Sequence, residues 1–266
     1  MPSKRDRKLA HAKFLRQQER RAHRRIRNRF IAVSSVVAVT VGLVVFANYQ
    51  KSQPEEVLAQ PEISASPTSS IIPVSTAAPI PGCGVPETVR ANNIVYGAVT
   101  ADLPTASTFT LNTNCGAIEI VANPNAPTTV GTMAWLANEG FFSNTACNRL
   151  TTQTIFVLQC GDPAGDRKGG PGFTFADENL PASDADGQFI YPRGTVAMAN
   201  TGPNTNGSQF FLVYQDSPLP ASYAIWGTIT SGMDILENVA AAGVSNGSSD
   251  GPPAQAVVIS AATTTP

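Results

Sequence analysis

A loop rich in Asn, Gly and Pro, set between two short apolar runs, places the strongest limit on how this chain can fold. The stretch spans residues 194–212 and reads GTVAMANTGPNTNGSQFFL. Gly and Asn tolerate left-handed backbone and Pro fixes its own conformation, so such a loop makes tight turns instead of bridging a gap. We therefore expect it to direct the side chains on its flanks into one binding site.

The charge of the chain is divided unevenly along its length. Residues 1–29 carry twelve Lys or Arg and only two acidic residues, Asp6 and Glu19. The remainder carries six Lys or Arg and seventeen Asp or Glu. This acidic balance argues against nucleic-acid binding by the larger C-terminal part. Taken alone, the basic segment could bind RNA or anionic lipid.

An uncharged run of eighteen residues, Phe30–Ala47, follows the basic segment. Its length suits a helix that crosses a bilayer. The Lys and Arg excess lies before the run and only Lys51 follows closely, which predicts a cytoplasmic N-terminus and an outer C-terminal part. The alternative is a signal peptide cleaved after Val45–Ala47, but the basic leader and the run are both long for one. We predict a single-pass cell-membrane protein with its folded domain on the extracellular or periplasmic side.

Residues 48–82 are rich in Pro, Ser, Ala and Thr. Such a segment cannot bury enough apolar area to fold, so we expect an extended tether. The predicted organisation is a basic cytoplasmic tail (1–29), a transmembrane helix (30–47), the tether (48–82), an N-terminal extension (83–107), the main domain (108–262) and a C-terminal tail (263–266).

Four cysteines follow the apolar run: Cys83, Cys115, Cys147 and Cys160. An even number on the oxidising side of a membrane is typical of disulfides, and three pairings are possible. Cys147 and Cys160 flank two expected neighbouring strands, which favours a bridge between them and leaves Cys83 to pair with Cys115. Four buried thiols are the alternative.

Histidine is confined to the basic tail, at His11 and His23, and no Cys-x-x-Cys motif occurs. A zinc site in the outer domain is therefore not expected. Catalysis by a Ser-His-Asp or Cys-His arrangement is excluded there as well. We expect a monomer without a cofactor or metal.

Short apolar runs alternate with turn residues from Thr108 onward, which predicts a mostly β domain with two helices. Ala117–Val121 is a predicted strand. Pro127–Asn138 is a predicted helix, with Pro in its first turn and Gly140 after its end. Met233–Ala242 is the second, followed by Gly243. The predicted inward residues are Val130, Met133, Leu136 and Ala137 on the first helix and Ile235, Leu236 and Val239 on the second.

The stretch 194–212, together with Asn148–Leu150 and Phe156–Asp162, resembles the signature of the cyclophilins, which are peptidyl-prolyl cis-trans isomerases. The resemblance covers roughly Phe109 to Ile259 and is closest to a membrane-anchored, actinobacterial-like form. It implies an eight-stranded antiparallel β-barrel capped by two helices.

The resemblance also implies the roles of individual residues. Arg149 matches the family's catalytic arginine, and Gln159 matches the residue that orients the substrate carbonyl with it; we predict that these two and Phe156 are catalytic. The apolar pocket for the proline ring is matched by Phe156, Val157 (in place of the usual methionine), Phe211 and Leu219. Asn200 matches the residue that holds the position before proline through its backbone, and the adjoining groove is matched by Ala199, Thr201 and Gln209.

The chain departs from the family pattern at the edge of this site. Asn148 and Tyr223 stand where the family usually has histidine, and Tyr223 still offers a hydroxyl to the groove. Two extra residues lie between Arg149 and Phe156, within Thr151–Thr154. These differences leave the peptide preference open.

The expected function is rotation of X-Pro bonds in exported or cell-envelope proteins, with proline-containing segments as partners. The alternative is a binding module that holds such segments without turnover. The joint presence of Arg149, Phe156 and Gln159 favours the enzyme.

Overall fold

The computed structural model describes residues 80–86, 89–90, 94–97 and 102–266. The predicted basic tail, the transmembrane span and most of the tether lie outside these residues. Within the described ranges, no helix is both long and apolar enough to cross a bilayer. The span at 30–47 therefore stays a prediction.

Two helices and twelve strands form the described part of the chain. The helices are α1 (Pro127–Asn138) and α2 (Met233–Ala242). The strands are β1 (Thr108–Thr113), β2 (Gly116–Ala122), β3 (Thr145–Ala146), β4 (Arg149–Thr151), β5 (Val157–Cys160), β6 (Gln188–Tyr191), β7 (Thr195–Met198), β8 (Phe210–Val213), β9 (Ser217–Pro220), β10 (Ile225–Ser231), β11 (Asp250–Gly251) and β12 (Val258–Thr265).

Ten strands form one antiparallel sheet in the order β11-β4-β5-β8-β7-β10-β2-β1-β12-β3, and β6 pairs with β9 in a separate ribbon. The end strands β11 and β3 have two residues each, and the eight strands between them have three to eight. β3 is the last strand of this order and β4 is the second, yet only Cys147 and Asn148 separate them in the chain. The sheet is therefore strongly curled, which brings β3 near β4.

The predicted fold class, mostly antiparallel β with two helices, is confirmed. The two-residue end strands and the β6-β9 ribbon were not expected in addition to the eight strands. Two residues are too few to show an alternating pattern, and β9 contains Pro218 and Pro220, which argue against a strand in the sequence. The ribbon accepts prolines because it is a two-stranded element in which every position is at an edge.

Both helices have the predicted bounds. The helix α1 buries the predicted face and is nearly enclosed, because Thr129, Thr132 and Ala134 are buried too. On α2, Leu236 and Val239 are buried and Ile235 is partly buried against the core. The predicted inward residues of α1 are all buried: Val130, Met133, Leu136 and Ala137.

Side-chain alternation along the strands divides the interior into two clusters. On β8, Phe210 and Leu212 face the main core, whereas Phe211 and Val213 face a smaller cluster. On β5, Leu158 faces the main core and Val157 faces the smaller cluster. Successive residues of a strand point to opposite faces, so one sequence run serves both. The smaller cluster forms the floor of the site described below.

The N-terminal extension is fastened to the main domain at several points. A disulfide joins Cys83 to Cys115, and the Ile80 N–H donates to Gln255 Oε1 at 2.9 Å. Tyr96 packs edge-to-face on Trp135 with ring centroids 5.2 Å apart. Because Ile80 also packs against the main core, the predicted tether boundary at residue 82 lies slightly too far along the chain.

The predicted C-terminal boundary of the main domain, at residue 262, lies too early in the chain. Residues 263–265, which the sequence assigned to a tail, continue β12 and pair with Thr108, Phe109 and Thr110 of β1. Backbone pairing needs no apolar side chain, and Thr is a good strand former, so the strand outlasts its hydrophobic residues.

A remote carboxylate caps the N-terminus of α1. Glu178 accepts the backbone N–H groups of Thr128 at 3.2 Å and Thr129 at 2.8 Å, and the Thr129 hydroxyl at 3.0 Å. The Ala126 side chain at the N-cap position cannot accept these groups. A carboxylate there both satisfies free donors and complements the helix dipole.

We expect Glu178→Ala to lower the free energy of unfolding by about 1 kcal/mol, the usual worth of a helix cap. Glu139→Ala, at the opposite end of the same helix, is the matched control. It removes a carboxylate from the end where the dipole disfavours one, so it should be neutral or slightly stabilising. Urea unfolding of both variants checks this, and equal losses would contradict a capping role for Glu178.

Candidate active site

A cavity of about 270 Å³, which we call the apolar cavity after its floor, opens where β4, β5, β7 and β8 meet the β6-β9 ribbon. Val157 and Phe211, from the adjacent strands β5 and β8, belong to its floor, and Leu219 and Tyr223 contribute from the ribbon side. Its lining is Arg149, Ile155, Val157, Gln159, Arg167, Ala199, Asn200, Phe211, Leu219 and Tyr223. The structure thus brings together eight of the eleven predicted catalytic and binding residues in one cavity.

A groove of about 640 Å³ adjoins this cavity, and we call it the polar groove after its Arg, Lys, Asn, Gln, Ser and Thr side chains. The two share Gln159, Arg167, Ala199 and Asn200. Thr201 and Gln209, predicted for an adjoining groove, line it here. The glycine-rich segment 167–174 forms much of the remaining lining of the groove.

Phe156 does not line the cavity, and its catalytic role stays a prediction. Its ring packs against Tyr214 with centroids 5.9 Å apart and faces the main core. The side chains alternate along this segment, so Ile155 and Val157 reach the cavity instead. Counting back in steps of two from Gln159 would have found Ile155, but the family motif directed attention to its aromatic neighbour.

Asp250 holds the Arg149 guanidinium by two parallel hydrogen bonds. Arg149 Nε donates to Oδ1 at 2.8 Å and its Nη2 donates to Oδ2 at 2.7 Å. The pairing of β11 with β4 sets this contact, since Asp250 lies opposite Thr151. The two residues are 101 positions apart in sequence, and no local pattern signals Asp250. Sequence reasoning therefore missed it.

A chain of side-chain hydrogen bonds continues from Arg149 across the floor. Arg149 Nη1 donates to Gln159 Oε1 at 3.4 Å, and Gln159 Nε2 donates to Gln209 Oε1 at 2.8 Å. Gln209 Nε2 in turn donates to the Gly169 carbonyl at 2.8 Å. These contacts orient both amides. A guanidinium has five N–H groups, so two remain on Arg149 for a ligand.

A buried carboxylate fixes the loop that leads to the polar groove. Asp162 accepts the Asn148 side-chain amide at 3.1 Å, the Ala164 N–H at 2.8 Å and the Arg167 N–H. Asn148, found in place of the family's usual histidine, thus has a structural contact. Gly161 is needed beside it, because a Cβ there would lie 2.2 Å from the Ser208 carbonyl oxygen.

A disulfide between Cys147 and Cys160 ties together the strands that carry the polar site residues. Gln159 directly precedes one cysteine, Arg149 follows the other by two residues, and the register places Arg149 opposite Gln159. Both predicted disulfides are thereby confirmed, and the alternative of four thiols is wrong.

The charged groups of the site are held in their ionised forms. The hydrogen bonds to Asp250 raise the pKa of Arg149, and the same contacts lower the pKa of Asp250. Beneath the cavity, burial raises the pKa of Tyr191 to about 12. The described residues contain no cluster of three or more metal-ligating side chains.

Residues 108–264 match the family model described as cyclophilin type peptidyl-prolyl cis-trans isomerase. The chain belongs to this family. The cyclophilin motif residues Arg149, Gln159 and Phe211, scattered in sequence, meet in the apolar cavity.

Two mycobacterial relatives are each named probable peptidyl-prolyl cis-trans isomerase B. The Mycobacterium leprae protein is 49% identical over 172 residues, which cover 61% of this chain and 58% of that protein. The Mycobacterium tuberculosis protein is also 49% identical, over 61% of this chain and 56% of its own length. This cyclophilin thus spans little more than half the length of either. A solved Cryptosporidium parvum cyclophilin is 27% identical over 60% of this chain and 99% of its own, with a TM-score of 0.49.

The acid stability of this cyclophilin should depend on Asp250. Its pKa is lower in the folded state than the ordinary 3.8, so the ion pair stabilises the fold above about pH 4. That contribution is lost as the pH falls through the lowered pKa. Asp250→Asn should therefore lower the unfolding temperature at pH 7, and the difference from the wild type should shrink below about pH 4.

Thermal unfolding between about pH 2 and 8 measures this effect. Asp102→Asn, an exposed carboxylate in the extension, is the matched control and should leave the whole profile unchanged. A deficit of Asp250→Asn that stays constant down to about pH 2 would show that the side chain acts without its charge.

Proposed function

We propose that this chain is a peptidyl-prolyl cis-trans isomerase that acts as a monomer on proline-containing segments of exported or cell-envelope proteins. The observation that carries the proposal is the Arg149 guanidinium, held by Asp250 and Gln159 at the rim of an apolar cavity of about 270 Å³. The names of the mycobacterial relatives support the same activity.

Rotation of an X-Pro bond needs only a fixed donor and a cavity that holds the proline ring. The barrier to rotation of a peptide bond is roughly 18–20 kcal/mol, because the nitrogen lone pair is shared with the carbonyl. A catalyst lowers it by favouring the twisted state, in which the lone pair is localised on nitrogen. An N–H donor fixed near that nitrogen stabilises the localised pair, and Arg149 has two N–H groups free to do so.

The apolar side chains supply the grip that rotation requires. Val157, Phe211 and Leu219 provide walls for a proline ring, and the ring can stay in place while the preceding carbonyl turns. Gln159 lies beside Arg149 and can hold that carbonyl, since its amide is oriented by Gln209.

The backbone beyond β7 provides a place for the rest of the peptide. Ala199 N–H bonds to the Gln209 carbonyl, but in the described part of the chain the backbone groups of Asn200 make no hydrogen bond to other backbone. An extended peptide can pair with such free groups, as an added strand does. This supports the predicted role of Asn200 in holding the residue before proline.

A binding module without turnover is the second candidate. The position of Phe156 favours it, because the ring expected in the pocket packs against Tyr214 instead. The cavity then holds smaller side chains, Ile155 and Val157, on that side. Replacement of Arg149 distinguishes the two functions, as follows.

Arg149→Ala should lower turnover roughly a hundredfold and weaken peptide binding much less. A charge-assisted contact worth ~3 kcal/mol in the transition state alone corresponds to that factor. Phe211→Ala should weaken binding as well, since it removes a wall that contacts the ring in every state. Exchange NMR on a proline peptide, with the full-length chain in detergent micelles, measures both quantities.

Arg193→Ala is the matched control, because Arg193 pairs with Glu237 and lies outside the cavity and the groove. Turnover should also be constant between about pH 5 and 8, since histidine occurs only in the basic tail. Wild-type turnover in Arg149→Ala would refute the mechanism. Binding without turnover by the wild type would favour the binding module.

The proposal includes anchoring by Phe30–Ala47, with the folded domain on the outer side. The support is the charge distribution, twelve Lys or Arg before the run and one soon after it. The two disulfides agree with an oxidising compartment.

Protease added to intact cells should release the folded domain by cutting in the tether and leave the basic tail protected. Antibodies against each end report the two fragments. A domain that stays uncut until the cells are lysed would contradict the topology. A mature N-terminus at Asn48 would instead identify Val45–Ala47 as a cleavage site.

A further inference from the structure

The cationic side chains of the described residues are few, and three of the five are already occupied. Arg90 donates to the Phe141 carbonyl at 2.8 Å. Arg149 is paired with Asp250, and Arg193 with Glu237. These contacts fix each guanidinium to another part of the fold.

The remaining two, Arg167 and Lys168, are neighbours in sequence and both exposed. Neither side chain makes a hydrogen bond or ion pair within the described ranges. Both line the polar groove, and Arg167 also lines the apolar cavity. Within the described residues, the two cationic side chains without an ion pair therefore both lie at the proposed peptide site.

The neighbouring carboxylates accept hydrogen bonds from groups other than the Arg167 and Lys168 side chains. Asp162 is buried and accepts two backbone N–H groups and the Asn148 amide. Asp166 accepts the backbone N–H of Lys168 at 2.9 Å. Asp250 is held by Arg149 on both oxygens. After the hydrogen bonds from Arg149, the charge of Arg167 helps to lower the pKa of Asp250. Within the described ranges, however, neither Arg167 nor Lys168 forms an ion pair, so an incoming anion can bind to both.

The backbone of Arg167 adds a second observation. Its φ is +68°, in the left-handed region that favours glycine. Its N–H donates to the buried Asp162 carboxylate, which holds the loop in this conformation. An arginine kept in a strained position at a binding site points to a role for its side chain.

We propose that Arg167 and Lys168 form a subsite for an acidic side chain of the peptide, one to three positions before the proline. This rests on the proposed function, which places the proline ring in the apolar cavity and the preceding residues along Asn200 into the polar groove. The described residues carry thirteen acidic and only five basic side chains, so the domain repels acidic peptides elsewhere. A local basic pair then selects where such a peptide docks.

The test compares peptides in which one position, from three before the proline to two after it, is Glu or Gln. Exchange NMR with the full-length chain in micelles gives kcat/KM for each pair. At low salt, Glu should be favoured about three- to fivefold before the proline and not after it, as exposed ion pairs allow. The preference should disappear at about 1 M salt, where charges are screened within about 3 Å.

Variants of Arg167 and Lys168 distinguish the effect of their charge from an effect on folding. Arg167→Gly suits the left-handed backbone and should fold well; combined with Lys168→Gln it should reduce the Glu-to-Gln ratio to about one. Arg167→Lys should keep most of the preference. Arg193→Gln, which removes a charge away from the groove, should leave the ratio unchanged.

The outcomes distinguish this inference from the proposed function. Equal rates for Glu and Gln peptides, with both isomerised, would overturn the subsite alone. If no peptide is isomerised, the proposed function fails, and the ratio of dissociation constants from NMR titration decides on the subsite. A Glu preference that survives in the double variant would overturn it as well.

Discussion

The hydrogen-bonded pairing of β5 with β4 on one side and β8 on the other determines the site. It places Gln159 opposite both Arg149 and Phe211, so one short strand brings together the Arg149 guanidinium, the Gln159 amide and an apolar wall. β4 would be a weak partner by itself, because it has only three residues. The Cys147–Cys160 disulfide fastens it to β5, and the ion pair from Arg149 to Asp250 fastens it to β11.

Local patterns in the sequence predict the parts of this fold that depend on neighbours in the chain. The bounds of α1 follow from a proline at its start and a glycine after its end, which are local stops. The places of Val157 and Phe211 in the cavity follow from the family motif. The contact of Asp250 with Arg149 could not be predicted, because it depends on the pairing of β11 with β4. The cavity is lined by Ile155 and not by its motif neighbour Phe156, an orientation of the two side chains that the motif does not reveal.

The two interior clusters give adjacent residues separate roles. Phe210 packs edge-to-face on Trp226 in the main core, with centroids 5.8 Å apart, whereas Phe211 contacts Tyr223 at 5.4 Å in the smaller cluster under the cavity. The floor of the site is therefore formed by strands whose other face packs in the main core. Packing on that face fixes the backbone that presents Val157 and Phe211 to the cavity.

The pairing of β1 with β12 places Thr108 opposite Thr265, two residues close to the two ends of the folded domain. A sheet with such distant partners has a high contact order, and its assembly waits for a costly loop closure. Until β12 arrives, β1 has an open edge, and the buried side chains of Phe109 and Leu111 lack part of their cover. A chain emerging N-terminus first can form both disulfides early, since their partners are 32 and 13 residues apart. It completes its sheet only when its final strand has been delivered.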